Sequence, residues 1–160
     1  MSTRSTIALE YADGTVHQIY CHHDGYLSYN GIRLYQHWQD PFKVRDLMDL
    51  GSISSLGFEI GTAHPFDSPG RWGSDEDAKY RAEFGNMCKA YGRDRGDTET
   101  ESSKFNNYED YLCNHQYEEY EYILRQVDGK AVWFVGINDW GLDKVIWTTL
   151  EEALKKENLL

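Results

Sequence analysis

The chain has 160 residues, 40% of them hydrophobic and 27% charged, and 16 Lys and Arg against 27 Asp and Glu give a formal net charge of −11. That length suits one domain able to bury a core without disulfides or metals, and an aromatic share of 14% argues against disorder. The acidic balance excludes a broad DNA- or RNA-binding face, which needs clustered Lys and Arg, and no apolar run approaches the ~20 residues of a membrane-spanning helix.

From the N-terminus, Met1-Ser2-Thr3-Arg4 leads straight into a strand pattern with no apolar leader. Residues 4–11 alternate, with Ser5, Ile7, Leu9 and Tyr11 on one face, and residues 15–22 alternate again after Asp13-Gly14. Asp-Gly between two such runs predicts an antiparallel hairpin with a type I′ turn. That turn places Arg4 opposite His23 and Ser5 opposite His22. Residues 27–38 fit a helix imperfectly because Asn30-Gly31 interrupts them. Asp40-Pro41 opens a cleaner helix, with Phe42, Val44, Leu47, Met48 and Leu50 as its inner stripe and Gly51 as its stop. Residues 52–57 form a short turn or strand. Residues 61–78 hold two of the three prolines and no steady period, which predicts a long loop. Residues 79–84 suit a short helix, and 87–91 a strand. Residues 97–105 read as a polar loop.

Asn106 or Asn107 caps a helix containing Tyr108, Tyr111 and Leu112. Residues 119–127 and 130–137 form a second hairpin around Asp128-Gly129, with Tyr120 and Tyr122 inward and Glu119 and Glu121 outward. Thr148 or Thr149 caps a terminal helix. Strand pairs joined by tight turns, with helices between them, predict a single α+β domain over residues 1–160. Its sheet is mainly antiparallel and built from β-hairpins, with three to four helices packed on it.

Two segments concentrate chemistry. In Cys21-His22-His23-Asp24-Gly25-Tyr26 a thiol, two imidazoles and a carboxylate lie together. On a strand Cys21 and His23 point one way and His22 and Asp24 the other, so the segment alone cannot build a closed zinc site. It reads either as a strand end supporting a type I′ turn at Asp24-Gly25 or as the edge of a ligand pocket. In Gly92-Arg93-Asp94-Arg95-Gly96-Asp97, Arg93 and Arg95 either present guanidinium forks to an anion or pair with Asp94 in a solvated turn. If the strand ending at Tyr91 lies beside the first hairpin, Arg4, Cys21, His22, Asp24, Tyr26, Arg93 and Arg95 gather as a small-anion or nucleotide site. No motif for a metal or a cofactor is present, and no nucleophile elbow or paired carboxylates support a hydrolase or nuclease. Cys21, Cys88 and Cys113, with no C-x-x-C pair, read as reduced thiols of a cytoplasm.

The charge is uneven. Residues 1–50 carry 4 basic and 6 acidic side chains, residues 51–96 carry 6 and 7, and residues 97–160 carry 6 and 14. The acidic last third is either a solvated surface or a face that docks on a basic partner by imitating nucleic acid, through Glu118, Glu119 and Glu121. Trp72 and Trp140, each beside a glycine, are candidate exposed contacts.

Arg4-Ser5-Thr6-Ile7-Ala8, Ile19-Tyr20-Cys21-His22, Asp24-Gly25-Tyr26, Gly31, Lys43-Val44-Arg45-Asp46-Leu47, Leu50-Gly51, Ser52-Ile53-Ser54-Ser55-Leu56-Gly57, Ala90-Tyr91-Gly92-Arg93-Asp94-Arg95-Gly96 and the Tyr120-Glu121-Tyr122 strand with its Trp133 hairpin complete the pattern. It resembles a widespread family of small uncharacterised bacteriophage and prophage proteins. The likeness spans most of the chain; His23, where the family pattern has an aromatic, and residues 61–85, which read as an insertion, depart from it. The resemblance implies an accessory protein of host takeover or anti-defence, located in the bacterial cytoplasm, that binds and inhibits a host protein. It transfers no activity. A module sequestering a signalling nucleotide is the alternative, and a homo-oligomer stays open.

Overall fold

The computed structural model describes residues 2–160. Strands β1 (Ser5–Glu10) and β2 (Val16–Cys21) form the expected hairpin, with a different register. Ser5 pairs with Cys21 rather than with His22. Of the two turn residues only Gly14 has a positive φ, +91°. The Tyr11 N–H donates to the Thr15 carbonyl and the Gly14 N–H to the Tyr11 carbonyl, so the loop is Ala12-Asp13-Gly14. A three-residue turn with a glycine bulge thus replaces the two-residue type I′ turn. The Asp13 carboxylate supports it, accepting from the Thr15 N–H at 2.9 Å and the Thr15 hydroxyl at 2.7 Å.

The other strands are β3 (Ile53–Ser55), β4 (Lys89–Ala90), β5 (Ser103–Phe105), β6 (Tyr120–Val127), β7 (Lys130–Asp139) and β8 (Lys144–Thr149). They build one open, mixed sheet in the order β4-β3-β2-β1-β6-β7-β8, with β5 pairing to β2 off that path. Only the β1–β6 and β2–β3 pairs are parallel. The turn between β6 and β7 is of the expected kind, because Asp128 and Gly129 both have positive φ, +51° and +80°. β5 lies inside the segment expected as a polar loop, and β8 has no counterpart in the sequence reading.

Among the described residues six α-helices pack on the sheet, where the sequence predicts three or four: α1 (Ile32–His37), α2 (Pro41–Leu50), α3 (Asp75–Phe84), α4 (Tyr91–Arg95), α5 (Tyr108–Asn114) and α6 (Leu150–Lys156). A five-residue π-helical turn, Leu27–Gly31, precedes α1. The caps of α2, α5 and α6 are Asp40, Asn107 and Thr149, each accepting a first-turn N–H. α3 starts earlier than its apolar residues suggest, because Ser74 accepts the Asp77 N–H and Asp75, Glu76 and Asp77 favour the positive end of the helix. The loop expected over 61–78 therefore ends at Ser74.

Both faces of the central strands are covered. On one face Ile7, Leu9, Ile19, Tyr122, Leu124, Trp133 and Val135 pack with Trp38, Val44, Leu47, Leu150 and Leu154. Trp38 ties this core together: its indole N–H donates to the Gly57 carbonyl, and its own carbonyl accepts from the Trp133 indole. On the other face Ala8, Val16 and Ile123 pack under Tyr111 of α5. Among the described residues no helix is long and apolar enough to cross a membrane.

Candidate functional site

The cysteine-histidine segment is mostly structural. Cys21 is fully buried, and burial pushes its thiol up to about 12, so the nucleophilic form is not available near neutral pH. Its Sγ lies 3.5 Å from the His23 carbonyl and 3.4 Å from the Asn30 amide nitrogen. The backbone continues to follow β3, with His22 N–H donating to Ile53 and His23 N–H to Ser54. Asp24 takes the left-handed conformation at φ +58°, but Gly25 does not, so the bend here is not a type I′ turn. The Tyr122 hydroxyl fastens it by donating to the Gly25 carbonyl at 2.6 Å. Tyr26 donates to Asp24 at 3.2 Å. A thiol reagent is expected to modify one cysteine per native chain, the exposed Cys113, and to reach Cys21 and Cys88 only in denaturant. Rapid native modification of Cys21, seen by peptide mapping, would contradict this assignment.

The arginine segment corrects the expectation more sharply. Residues 91–95 form the short helix α4 rather than the open end of a strand. Arg93 is a fastener: its Nε donates to Asp94 Oδ1 at 2.9 Å, Nη1 to the Ile60 carbonyl at 2.9 Å, and Nη2 to the Cys88 carbonyl at 2.8 Å. Asp94, its side chain fully buried, also accepts the Ala90 N–H at 2.8 Å and the His64 N–H at 3.2 Å. Burial pushes this carboxyl up, yet the hydrogen bonds and the Arg93 charge outweigh it and hold the group below the usual range. Arg95 grips Asp97 through Nε and Nη2 at 2.9 and 2.6 Å, against the rings of Phe66 and Tyr91. Neither arginine joins Arg4 and His22 in an anion cluster, because each guanidinium is neutralised by a nearby aspartate. His22, its hydroxyl partner Tyr20 and the exposed Arg4 are neighbours at the start of β1; burial, then His23 and Arg4, lower the His22 pKa.

Of the three candidate docking glutamates, Glu119 is exposed, Glu118 half-buried and Glu121 fully buried. Alternation placed Glu121 outward, but α5 covers that face. Its carboxyl meets the Thr6 hydroxyl at 3.3 Å and the Glu118 N–H at 2.5 Å, and lies 3.8 Å from His115 Nε2. Glu121 therefore cannot contact a partner. Trp72 is 83% exposed in the loop before α3, with the Arg81 guanidinium 3.4 Å above its ring. Trp140 is 66% exposed in the loop between β7 and β8.

The strand directions bring the remaining candidates to one end of the sheet. β1, β6 and β8 begin there and β2 and β7 end there. Asn138 links the parts: its N–H donates to the Glu119 carbonyl at 3.2 Å, and its amide donates to the Glu118 carbonyl. Beside it a groove of about 340 Å³ is lined by Tyr117, Asn138, Trp140, Asp143, Lys144 and Val145. Leu142, 61% exposed, stands next to Trp140 in the same loop, which Asp139 closes by accepting the Gly141 and Leu142 N–H groups. The surface thus has an apolar tip of Trp140, Leu142 and Tyr117, with Asp139, Asp143 and Lys144 in or beside its loop and the Glu118-Glu119 backbone joined to it through Asn138. Such a tip can enter a partner's pocket while the aspartates beside it select positive charge. The sequence reading found Trp140, Glu118 and Glu119, and missed Leu142 and the strand that begins at Lys144. Alternation of Val145 and Trp147 was the available signal. Comparison of the chain with protein-family models, with curated proteins and with solved structures found no match.

Proposed function

We propose that this protein acts by binding another protein, one with a basic surface, through the hairpin end that joins β7 to β8. The observation that carries the reading is the placement of Trp140 and Leu142, both largely exposed, in one loop beside a groove lined by Tyr117, Asn138, Asp143 and Lys144. Neighbouring exposed large apolar groups with charged residues at their margin have the composition of a contact surface rather than of a solvated turn. The surplus of acidic residues in the last third favours the same kind of partner and speeds its approach. The resemblance to phage and prophage proteins supplies the setting: an accessory factor inside the bacterial cell that occupies and inhibits a host protein.

The test compares the wild-type protein with Trp140→Ala and with a Glu118→Lys, Glu119→Lys pair as baits in a bacterial lysate. The wild-type bait is expected to retain a defined set of basic-surfaced proteins, and both variants to lose it while melting at the wild-type temperature. A retained set identical in all three baits would sink the reading.

A further inference from the structure

β8 is the outermost strand of the open sheet, and among the described residues no strand pairs with its outer side. The opposite edge is β4, two residues long and followed at once by α4, which leaves little to pair with. β8 is six residues, Lys144-Val145-Ile146-Trp147-Thr148-Thr149, in unbroken register with β7. It has no proline, glycine or bulge, and its β-branched and aromatic residues favour extended chain. Natural sheets blunt such an edge with internal charges, prolines or bulges. Here the one charge on the strand, Lys144, sits at its first position, and Ile146 in the middle is 49% exposed.

From these observations we infer that β8 receives an extended, basic peptide segment of the partner as an added strand. The inference rests on the hairpin-end reading, whose apolar tip lies at the start of the same strand. Charge decides between occupants. Asp139 and Asp143 precede Lys144 at the beginning of β8, and at its end Glu152 accepts the Thr148 hydroxyl at 3.0 Å while Glu151 pairs with Lys155 at 3.4 Å. Asp143 at one end and Glu152 at the other attract a Lys- or Arg-bearing segment, whereas a second copy of the chain brings another charge of −11 to this edge. Backbone hydrogen bonds supply the attachment, and the alternating faces of Val145 with Trp147 and of Ile146 with Thr148 offer side-chain selection.

The probe is a short fluorescent peptide of alternating Lys and Val, with a twin carrying N-methyl groups on alternate residues. The unmodified peptide is expected to bind and to slow amide exchange of residues 144–149. The N-methyl twin, which keeps the charges but loses backbone donors, is expected not to bind. Ile146→Lys, a change at a half-exposed site, should weaken binding about tenfold or more, a loss of roughly 1.4 kcal/mol, with its melting temperature retained. Equal binding of the twin, or unchanged exchange in β8, overturns strand addition. A concentration-dependent dimer of the wild-type chain that Ile146→Lys abolishes also overturns it, in favour of a second copy. Equal binding of the twin that is lost in Trp140→Ala removes strand addition and leaves the hairpin-end reading standing. Binding lost in Ile146→Lys but untouched by Trp140→Ala and by the paired charge reversal supports strand addition and removes the hairpin-end reading.

Discussion

Glu121→Gln is expected to abolish a loss of stability that the wild-type protein shows as the pH rises from about 4.5 to about 8. Burial pushes the Glu121 carboxyl up from 4.5 to about 8. Hydrogen bonds from the Glu118 N–H, Thr6 and Asn138 oppose that shift, and the Glu118 charge adds to it. Burial lowers the pKa of its neighbour His115, against a hydrogen bond to the Tyr111 backbone. The His115 Nδ1 lies 2.6 Å from the Tyr111 carbonyl and must donate to it, so the bare Nε2 faces the carboxyl as an acceptor. In this window the folded protein keeps a proton on Glu121 that the unfolded chain has released. The contribution is therefore complete below the unfolded pKa and is lost as the pH climbs through the folded one. At about 1.4 kcal/mol per pKa unit, the whole window amounts to on the order of 5 kcal/mol. Glutamine retains a carbonyl for the Glu118 N–H and cannot ionise. The fall in urea midpoint from pH 5 to pH 8.5 caused by Glu121 should be absent in the variant, whose remaining pH dependence, from histidines such as His115, runs the other way. Parallel pH profiles for the two proteins would show that Glu121 is not the titrating group.

Asp94→Ala is expected to destabilise the fold by about 3–5 kcal/mol, the cost of leaving a buried partner unpaired. The loss strands the Arg93 guanidinium and the Ala90 and His64 N–H groups, which this carboxylate satisfies. Arg93→Ala should fall in the same range, since the Ile60 and Cys88 carbonyls lose their donor. The double variant should cost less than the two single costs together, with a coupling of about 0.5–3 kcal/mol. Arg95→Ala, by contrast, should leave the urea midpoint nearly unchanged, because its pair with Asp97 is half-exposed. Strict additivity of the Arg93 and Asp94 substitutions would dissolve the fastener assignment.

The contrast between Arg93 and Arg95 shows what the sequence could express. Their identical local setting, each an arginine beside an aspartate near a glycine, gives no sign that one reaches residues 32 and 33 positions away while the other stays in its own turn. Local signals fared well: the caps Asp40, Asn107 and Thr149, the Asp128-Gly129 turn and the α+β class all rest on contacts within a few residues. Asp13-Gly14 was legible as a turn but not as a turn type, since the side-chain bonds of Asp13 to Thr15 decide which residue takes positive φ. Glu121 was misplaced because alternation distinguishes two faces without telling whether the second one is wet. That answer belongs to α5 and the residue after it, where Tyr111 and His115 close over the carboxyl. β8 escaped notice because its short apolar alternation runs directly into the helix-capping signal at Thr148-Thr149.

The parallel pair of β1 with β6 also governs how the chain can reach its native state. Thr6 meets Glu121 across a sequence separation of 115 residues. At a synthesis rate of ~5–20 residues per second, the N-terminal hairpin waits roughly ten seconds for its neighbour to leave the ribosome. During that interval Ile7 and Leu9 lack the strand against which they finally lie. Contacts this distant close slowly, because the intervening loop entropy is lost before the sheet returns any stabilisation. A nascent chain ending anywhere before β6 therefore leaves one edge of β1 without the strand it pairs with in the native sheet.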